Sequence, residues 1–209
     1  MSIILKEGTT KIKELVPAGT HIGRCYQMVH VGKVEWEWNG EQKVGDKVRL
    51  TFELPHETRM FDGEEKPMVI TKEYTISLHE KSNLRKDLES WRGAEFTPAE
   101  LRGFDLVKLL GQPCNVTVMQ KTAKTGNEYA CIVGLGKLTK GVECPEQFNP
   151  NFVFDYKENF NKEWVEKQPD FIKDMIMGTE DWNFKMNELK FSDKTNETNE
   201  TEKEDDFPF

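Results

Sequence analysis

The chain has 209 residues, of which 32% are charged and 36% hydrophobic, and its formal net charge is −8. This length is typical of one domain with extensions, and a membrane-spanning helix is excluded because no stretch of about 18 apolar residues occurs. Residues 1–140 carry 21 Lys and Arg against 19 Asp and Glu, residues 141–191 carry 6 against 11, and residues 192–209 carry 2 against 7. The acidity therefore lies in the C-terminal third, and the composition predicts a mildly basic body with an acidic tail.

The first half of the chain has the periodicity of β-strands. Residues 20–31 (THIGRCYQMVHV) mix β-branched, aromatic and apolar residues, and Gly23 within them indicates a bulge or strong bend. Strict alternation in KVRLTFEL places Val48, Leu50, Phe52 and Leu54 on one face of a second strand. A third strand is predicted in MVITKEYTISL, after a charged loop around Asp62-Gly63, with one face formed by Ile70, Tyr74, Ile76 and Leu78.

The period then changes to that of a helix. Leu84, Leu88 and Trp91 are spaced i, i+4 and i+7, which predicts a helix that begins near Ser82, ends at Gly93 and buries these three side chains. Residues 97–101 (TPAEL) have the pattern of a capping box. Strand composition returns in CNVTVMQ and YACIVGL, which a hairpin turn at Gly126-Asn127 joins.

Three strands, a helix and two further strands are the element order of the OB-fold. We therefore predict a mainly β fold, a five-stranded OB-fold Greek-key barrel with a helical connection between its third and fourth strands. A generic mixed α+β sheet domain is the alternative. The predicted domain covers residues 1–140.

Two further segments follow this domain. Residues 141–191 are rich in aromatic residues and include a helix predicted from Pro169 to Gly178, with Phe171, Ile172, Met175 and Ile176 on one side. We expect this partly helical extension to pack on the barrel or to form an oligomer contact. Residues 192–209 repeat Asn-Glu-Thr and contain almost no apolar side chains before the terminus, which predicts a disordered acidic tail.

No pattern typical of catalysis occurs, so we do not expect an enzyme, a cofactor or a metal site. The four cysteines (Cys25, Cys114, Cys131, Cys144) lack CxxC spacing, and the N-terminal residues lack a signal-peptide pattern. We interpret the chain as a cytoplasmic protein with reduced thiols.

Cations and aromatic rings alternate along the predicted strands and loops. Binding of single-stranded nucleic acid requires both, because cations follow the phosphates and rings stack on the bases. Trp36 and Trp38 are the stronger stacking candidates, whereas Tyr74, like Phe52, also fits a buried position. The predicted binding residues are Arg24, Tyr26, His30, Lys33, Trp36, Trp38, Lys47, Arg49, Lys72, Tyr74, Lys121, Lys124 and Tyr129.

The last five residues are Asp205, Asp206, Phe207, Pro208 and Phe209. An acidic, low-complexity segment that ends in this way resembles the C-terminal tip of bacterial and bacteriophage single-stranded DNA-binding proteins. The length of the chain and its aromatic extension look more like a phage-encoded relative than the compact cellular form.

The resemblance implies a protein that coats and protects single-stranded DNA in replication, recombination and repair, in a bacterial host cytoplasm. Through Asp205–Phe209 it would recruit partner enzymes such as a helicase, primase, polymerase or nuclease. A homo-oligomer is compatible with the sequence. Two alternatives stay open: an interaction module or inhibitor that mimics the tip without binding DNA, and an enzyme such as a nuclease subunit.

Overall fold

A computed structural model describes residues 14–201, apart from the side chains of Trp38 and of residues 192–201. Ten helices and strands make up this part of the chain, together with two short 3-10 turns between the first helix and the fourth strand. Their bounds are β1 Gly19–Trp38, β2 Glu41–Phe61, β3 Glu64–Thr75, α1 Asn83–Arg92, β4 Pro113–Thr122, β5 Glu128–Gly136, β6 Phe152–Phe154, α2 Lys162–Glu166, α3 Asp170–Met177 and α4 Glu180–Thr201.

The strands form one curled sheet. Five of them pair antiparallel in the order β3-β2-β1-β4-β5, and the short β6 adds to β1 in parallel. The sheet forms a half-barrel whose end strands, β3 and β5, approach each other without a hydrogen-bonded ladder between them in the described range. The structure thus confirms a mainly β fold with a helix between the third and fourth strands.

A first hydrophobic core fills the inside of this half-barrel. It contains the predicted row of β2 side chains, of which Leu50, Phe52 and Leu54 are fully buried. The apolar stripe of α1, including Trp91, closes the core, and the Trp91 indole N–H donates to the Pro113 carbonyl oxygen over 3.0 Å. The predictions for β2 and α1 are therefore confirmed.

The first two strands are longer than predicted, and the register shifts of β1 against β2 do not fall at Gly23. β1 continues to Trp38, and β2 continues through the segment interpreted as a charged loop, so that Asp62-Gly63 forms a tight turn. The register of β1 against β2 shifts between Cys25 and Gln27 and between His30 and Gly32, not at Gly23. Gly23 serves close packing instead, because a Cβ there would lie 2.5 Å from a methyl carbon of Val116.

A second hydrophobic core joins the C-terminal extension to the opposite face of β1. Val29 and Val31 of β1 pack there with Phe154, Ile172 and Ile176. The rings of Tyr156, Phe160 and Trp164 lie within 5.8 Å of the Phe154 ring, measured between centroids. β1 is consequently buried on both faces, and the extension packs on the half-barrel.

The end of the described chain is helical. α4 runs to Thr201, so the backbone of residues 192–201 continues a helix where the composition predicts disorder. Trp182, buried in the second core, anchors the start of α4, and propagation of an existing helix costs less than its nucleation. Residues 202–209, including the predicted partner-binding tip, lie outside the described residues. Of the helices described, none is both long and apolar enough to cross a membrane.

Candidate nucleic-acid interface

The free edge of β3 borders three adjoining hollows, which we call the edge groove. Their volumes are about 240, 560 and 490 Å³. Tyr129 lines the first and second hollows, while Lys72 and Asn83 line the second and third, so the hollows form one continuous path. The cationic residues of this groove are Arg59, Lys72, Lys86, Lys121, Lys47 and Lys81.

The middle hollow lies where the sheet fails to close between β3 and β5. Lys121 from the β4–β5 hairpin and Lys86 from α1 are both exposed, and the Tyr129 side chain is 44% exposed. Lys72 enters from β3, and its Nζ lies 2.6 Å from a carboxylate oxygen of Asp87. A half-exposed ring surrounded by three lysines provides both a stacking surface and positive charge.

The third hollow lies beside the N-terminus of α1. The first turn of this helix contains no acidic residue, and Ser82 makes no side-chain capping hydrogen bond. The positive end of the helix dipole therefore adds to the charges of Lys47 and Lys81. This hollow is polar and open, as expected for a surface that contacts phosphate groups.

The first hollow lies between residues 14–16, the middle of β3 and the start of β5, and Glu14 and Glu128 line it as well as Arg59. Arg59 stacks on Phe61, with 3.9 Å between the guanidinium carbon and the ring centroid. Phe61 is 38% exposed. Phe61 does not line the hollow itself, so the accessible ring lies beside this end of the edge groove, next to the Arg59 guanidinium.

The carboxylates of the second and third hollows are largely neutralised by their neighbours. Asp87 accepts from Lys72 and from the Tyr74 hydroxyl, and Glu73 pairs with Arg49 over 3.3 Å. Lys81, Lys86 and Lys121 form no ion pair within the described part of the chain. The positive charge of these two hollows is therefore available to a polyanion.

Five of the predicted binding residues line the edge groove, namely Lys47, Lys72, Tyr74, Lys121 and Tyr129, although Tyr74 is almost fully buried there. Trp36 lies beside the groove, because the Lys47 ammonium sits 4.0 Å from the centroid of the Trp36 ring. Lys124 is exposed at the tip of the β4–β5 hairpin. Arg49 points to the opposite face of the sheet from the first core, where it meets Glu73.

Tyr74 does not fit the role predicted for it. Its side chain is only 3% exposed within the first core, and its hydroxyl donates to Asp87 over 2.8 Å. Burial and the neighbouring Asp87 carboxylate raise the pKa of this phenol far above its usual range. The ring cannot reach a base, since alternation on β3 turns it inward opposite Val48.

Arg24, Tyr26, His30 and Lys33 of β1 line none of the three hollows of the edge groove. Arg24 donates to the Pro145 carbonyl oxygen over 2.7 Å, and His30 contacts Asp46 over 2.6 Å. Tyr26 is partly buried, and burial together with the Glu53 charge raises its pKa. Lys33 is exposed in a separate hollow that Glu35, Asp174 and Glu180 also line. The side chain of Trp38 is outside the described residues.

Arg24 and Glu53 instead hold the segment that precedes β6. Glu53 is fully buried and accepts hydrogen bonds from the backbone N–H groups of Phe148 and Asn149, over 3.1 and 2.8 Å. The Asn149 side chain donates a third over 2.8 Å. This part of the sheet is thus occupied by the chain itself.

Sequence reasoning missed Arg59, Phe61, Lys81 and Lys86 as residues of the interface. The first two lie in the stretch interpreted as a loop, which β2 extends into as a strand. Lys81 and Lys86 flank the apolar stripe of α1. Their position beside this stripe is the only sequence signal that could have placed them near the open edge of β3.

Among the described side chains, no group of three or more His, Cys, Asp or Glu residues could hold a metal ion. The arrangement offers cations and rings, a combination suited to a polyanion with flat bases. No protein-family model matches the chain, and no curated protein matches it.

Proposed function

We propose that the protein binds single-stranded DNA, without strong sequence preference, along the edge groove. The observation that carries this proposal is the continuous path at the free edge of β3, in which lysines alternate with the accessible Tyr129 ring. Phosphates would contact the lysines and unpaired bases would stack on the rings, a contact worth about 1–3 kcal/mol per base. The role is binding and protection, not catalysis.

The strand order supports a more specific fold, the OB-fold. An antiparallel order β3-β2-β1-β4-β5, with a helix between β3 and β4, is compatible with a five-stranded, partly open Greek-key barrel whose opening lies between β3 and β5. OB-folds bind oligonucleotides on the face of strands 2 and 3 and on the adjoining loops. The edge groove lies along the third strand and reaches the β4–β5 hairpin.

The acidic tip adds a second role, which rests on the sequence resemblance. Phe209 would occupy a pocket of a replication, recombination or repair enzyme, and Asp205 and Asp206 would meet basic residues around that pocket. The protein would act in a bacterial cytoplasm, encoded by a bacteriophage. The edge groove and the tip then bind different partners, and the tip does not contribute to DNA affinity.

Titration of fluorescent oligo-dT with the full chain, and with a variant lacking residues 202–209, tests the DNA-binding role and whether the tip is dispensable for it. The full chain is expected to bind oligo-dT more tightly than duplex DNA, with affinity falling at a log–log salt slope of about −0.7 per neutralised phosphate. The shortened variant should bind equally or more tightly, because it has lost anionic charge. Absence of binding to either DNA at low salt contradicts the proposal and favours the interaction module.

A further inference from the structure

Phe171 is an exposed aromatic ring held in place by buried neighbours. The sequence places it with Ile172 and Ile176 on one side of α3, yet Phe171 is 61% exposed whereas those two are buried in the second core. Its position is therefore set by the anchoring of α3 and not by burial of its own ring. An exposed phenyl ring on a fixed helix is suited to contact a flat ligand.

The ring faces the outer surface of the sheet. The Arg49 guanidinium carbon lies 5.9 Å from the Phe171 ring centroid. Arg49 sits on β2 opposite Val29 of β1, which packs in the second core, and opposite Glu73 of β3. α3 thus stands beside the outer face of the sheet, next to a cation of β2.

A second cation, Lys47, lies two residues from Arg49 on the same face of β2, and the Trp36 ring of β1 lies next to it. Lys47 is 4.0 Å from the centroid of the Trp36 ring and donates to the Thr75 hydroxyl over 3.0 Å. Gly45 makes room for this tryptophan, because a Cβ there would lie 2.8 Å from a Trp36 ring carbon. Lys47 also lines the third hollow, so the outer face continues directly from the edge groove.

We propose that Trp36, Lys47, Arg49 and Phe171 form a second subsite for unpaired nucleobases, built jointly by the sheet and the C-terminal extension. The inference rests on the proposed function, since the strand would pass from the edge groove over β3 onto this face. Bases would stack on the two rings, and Arg49 would exchange Glu73 for a phosphate. The extension is then part of the binding surface as well as a support for β1.

The substitution Phe171→Ala tests this subsite. The probe is an oligo-dT longer than ~16 nucleotides, the upper limit of the site covered by one OB-fold. The affinity of the Phe171→Ala variant for this probe should fall roughly 5- to 150-fold, the effect of one lost stacking contact. Phe184→Ala is the matched control, because Phe184 is 74% exposed on α4, and it should bind within about two-fold of the unaltered chain. Phe171→Trp should restore the affinity and add a tryptophan whose fluorescence DNA quenches.

The outcomes separate the two proposals. If Phe171→Ala binds oligo-dT normally while a separate variant with neutralised edge-groove lysines loses affinity, the subsite is overturned. The proposed function then stays in place. Equal losses in Phe171→Ala and Phe184→Ala also overturn the subsite. Failure of the unaltered chain to bind oligo-dT removes both proposals at once.

Discussion

Neutralising the three unpaired lysines of the edge groove is expected to weaken binding of single-stranded DNA by roughly 100-fold at low salt. Lys81, Lys86 and Lys121 are exposed and would each contact a phosphate, at about 1 kcal/mol per contact in water. Replacing all three by Gln should also make the log–log salt slope less steep by about 2, since each lost phosphate contact removes about 0.7. Fluorescence anisotropy over a salt series measures both quantities.

The control is a variant with the same change in net charge elsewhere. Lys108, Lys140 and Lys167 are exposed and line none of the three hollows. Their replacement by Gln should leave the salt slope unchanged and reduce affinity only slightly, through the net charge. If both triple variants lose affinity and slope equally, binding depends on overall charge and the groove has no special part in it.

Removing the Phe154 ring is expected to lower the free energy of unfolding by about 3–5 kcal/mol, the usual cost of a buried Phe→Ala change. Phe154 is fully buried at the centre of the second core, so the cavity would loosen the extension from β1. Because β1 also contributes to the first core, the half-barrel should lose stability with it. Urea unfolding monitored by tryptophan fluorescence provides the measurement.

Phe148→Ala removes the same atoms from a residue that is 54% exposed. Its effect should stay within about 0.5 kcal/mol, as for most surface substitutions. A loss below about 1 kcal/mol for Phe154→Ala would mean that the extension is not a structural part of the domain. Phe154→Ala should lower DNA affinity by no more than Phe171→Ala does, because the edge-groove residues lie outside the second core.

Local patterns predicted the central elements because burial on one face leaves a clear periodicity. The alternation from Val48 to Leu54 and the stripe of Leu84, Leu88 and Trp91 both identify side chains of the first core. The outer parts of β1 and β2 could not be identified in this way. They project beyond the core as two ribbons, one of β1 with β2 that includes Val44 and one of β2 with β3 that includes Met60, and none of the described side chains in these ribbons is fully buried.

The candidate site was harder to predict, because it depends on which strand edges stay unpaired. Lys72 and Tyr74 share the face of β3 that turns toward α1 and both border the groove, yet only Lys72 is partly exposed, since Tyr74 is buried in the first core. The helical period groups Phe171 with Ile172 on one side of α3, yet Phe171 is exposed and Ile172 is buried. Only the packing of α3 against β1 determines which of these neighbours faces the solvent.

The most direct test of the central claim is the reactivity of Cys131 with a thiol reagent. Cys131 is half-buried and lines the middle hollow with Lys121 and Tyr129, whereas Cys144 is half-buried in the segment held by Arg24. Cys25 and Cys114 should stay unreactive in the folded protein, because both are fully buried and burial raises the pKa of the Cys25 thiol to about 12. Saturating oligo-dT is expected to slow modification of Cys131 at least ten-fold and to leave the Cys144 rate unchanged. Unchanged modification of Cys131, in a sample whose anisotropy shows the oligonucleotide to be bound, would place the DNA on another surface and contradict the account.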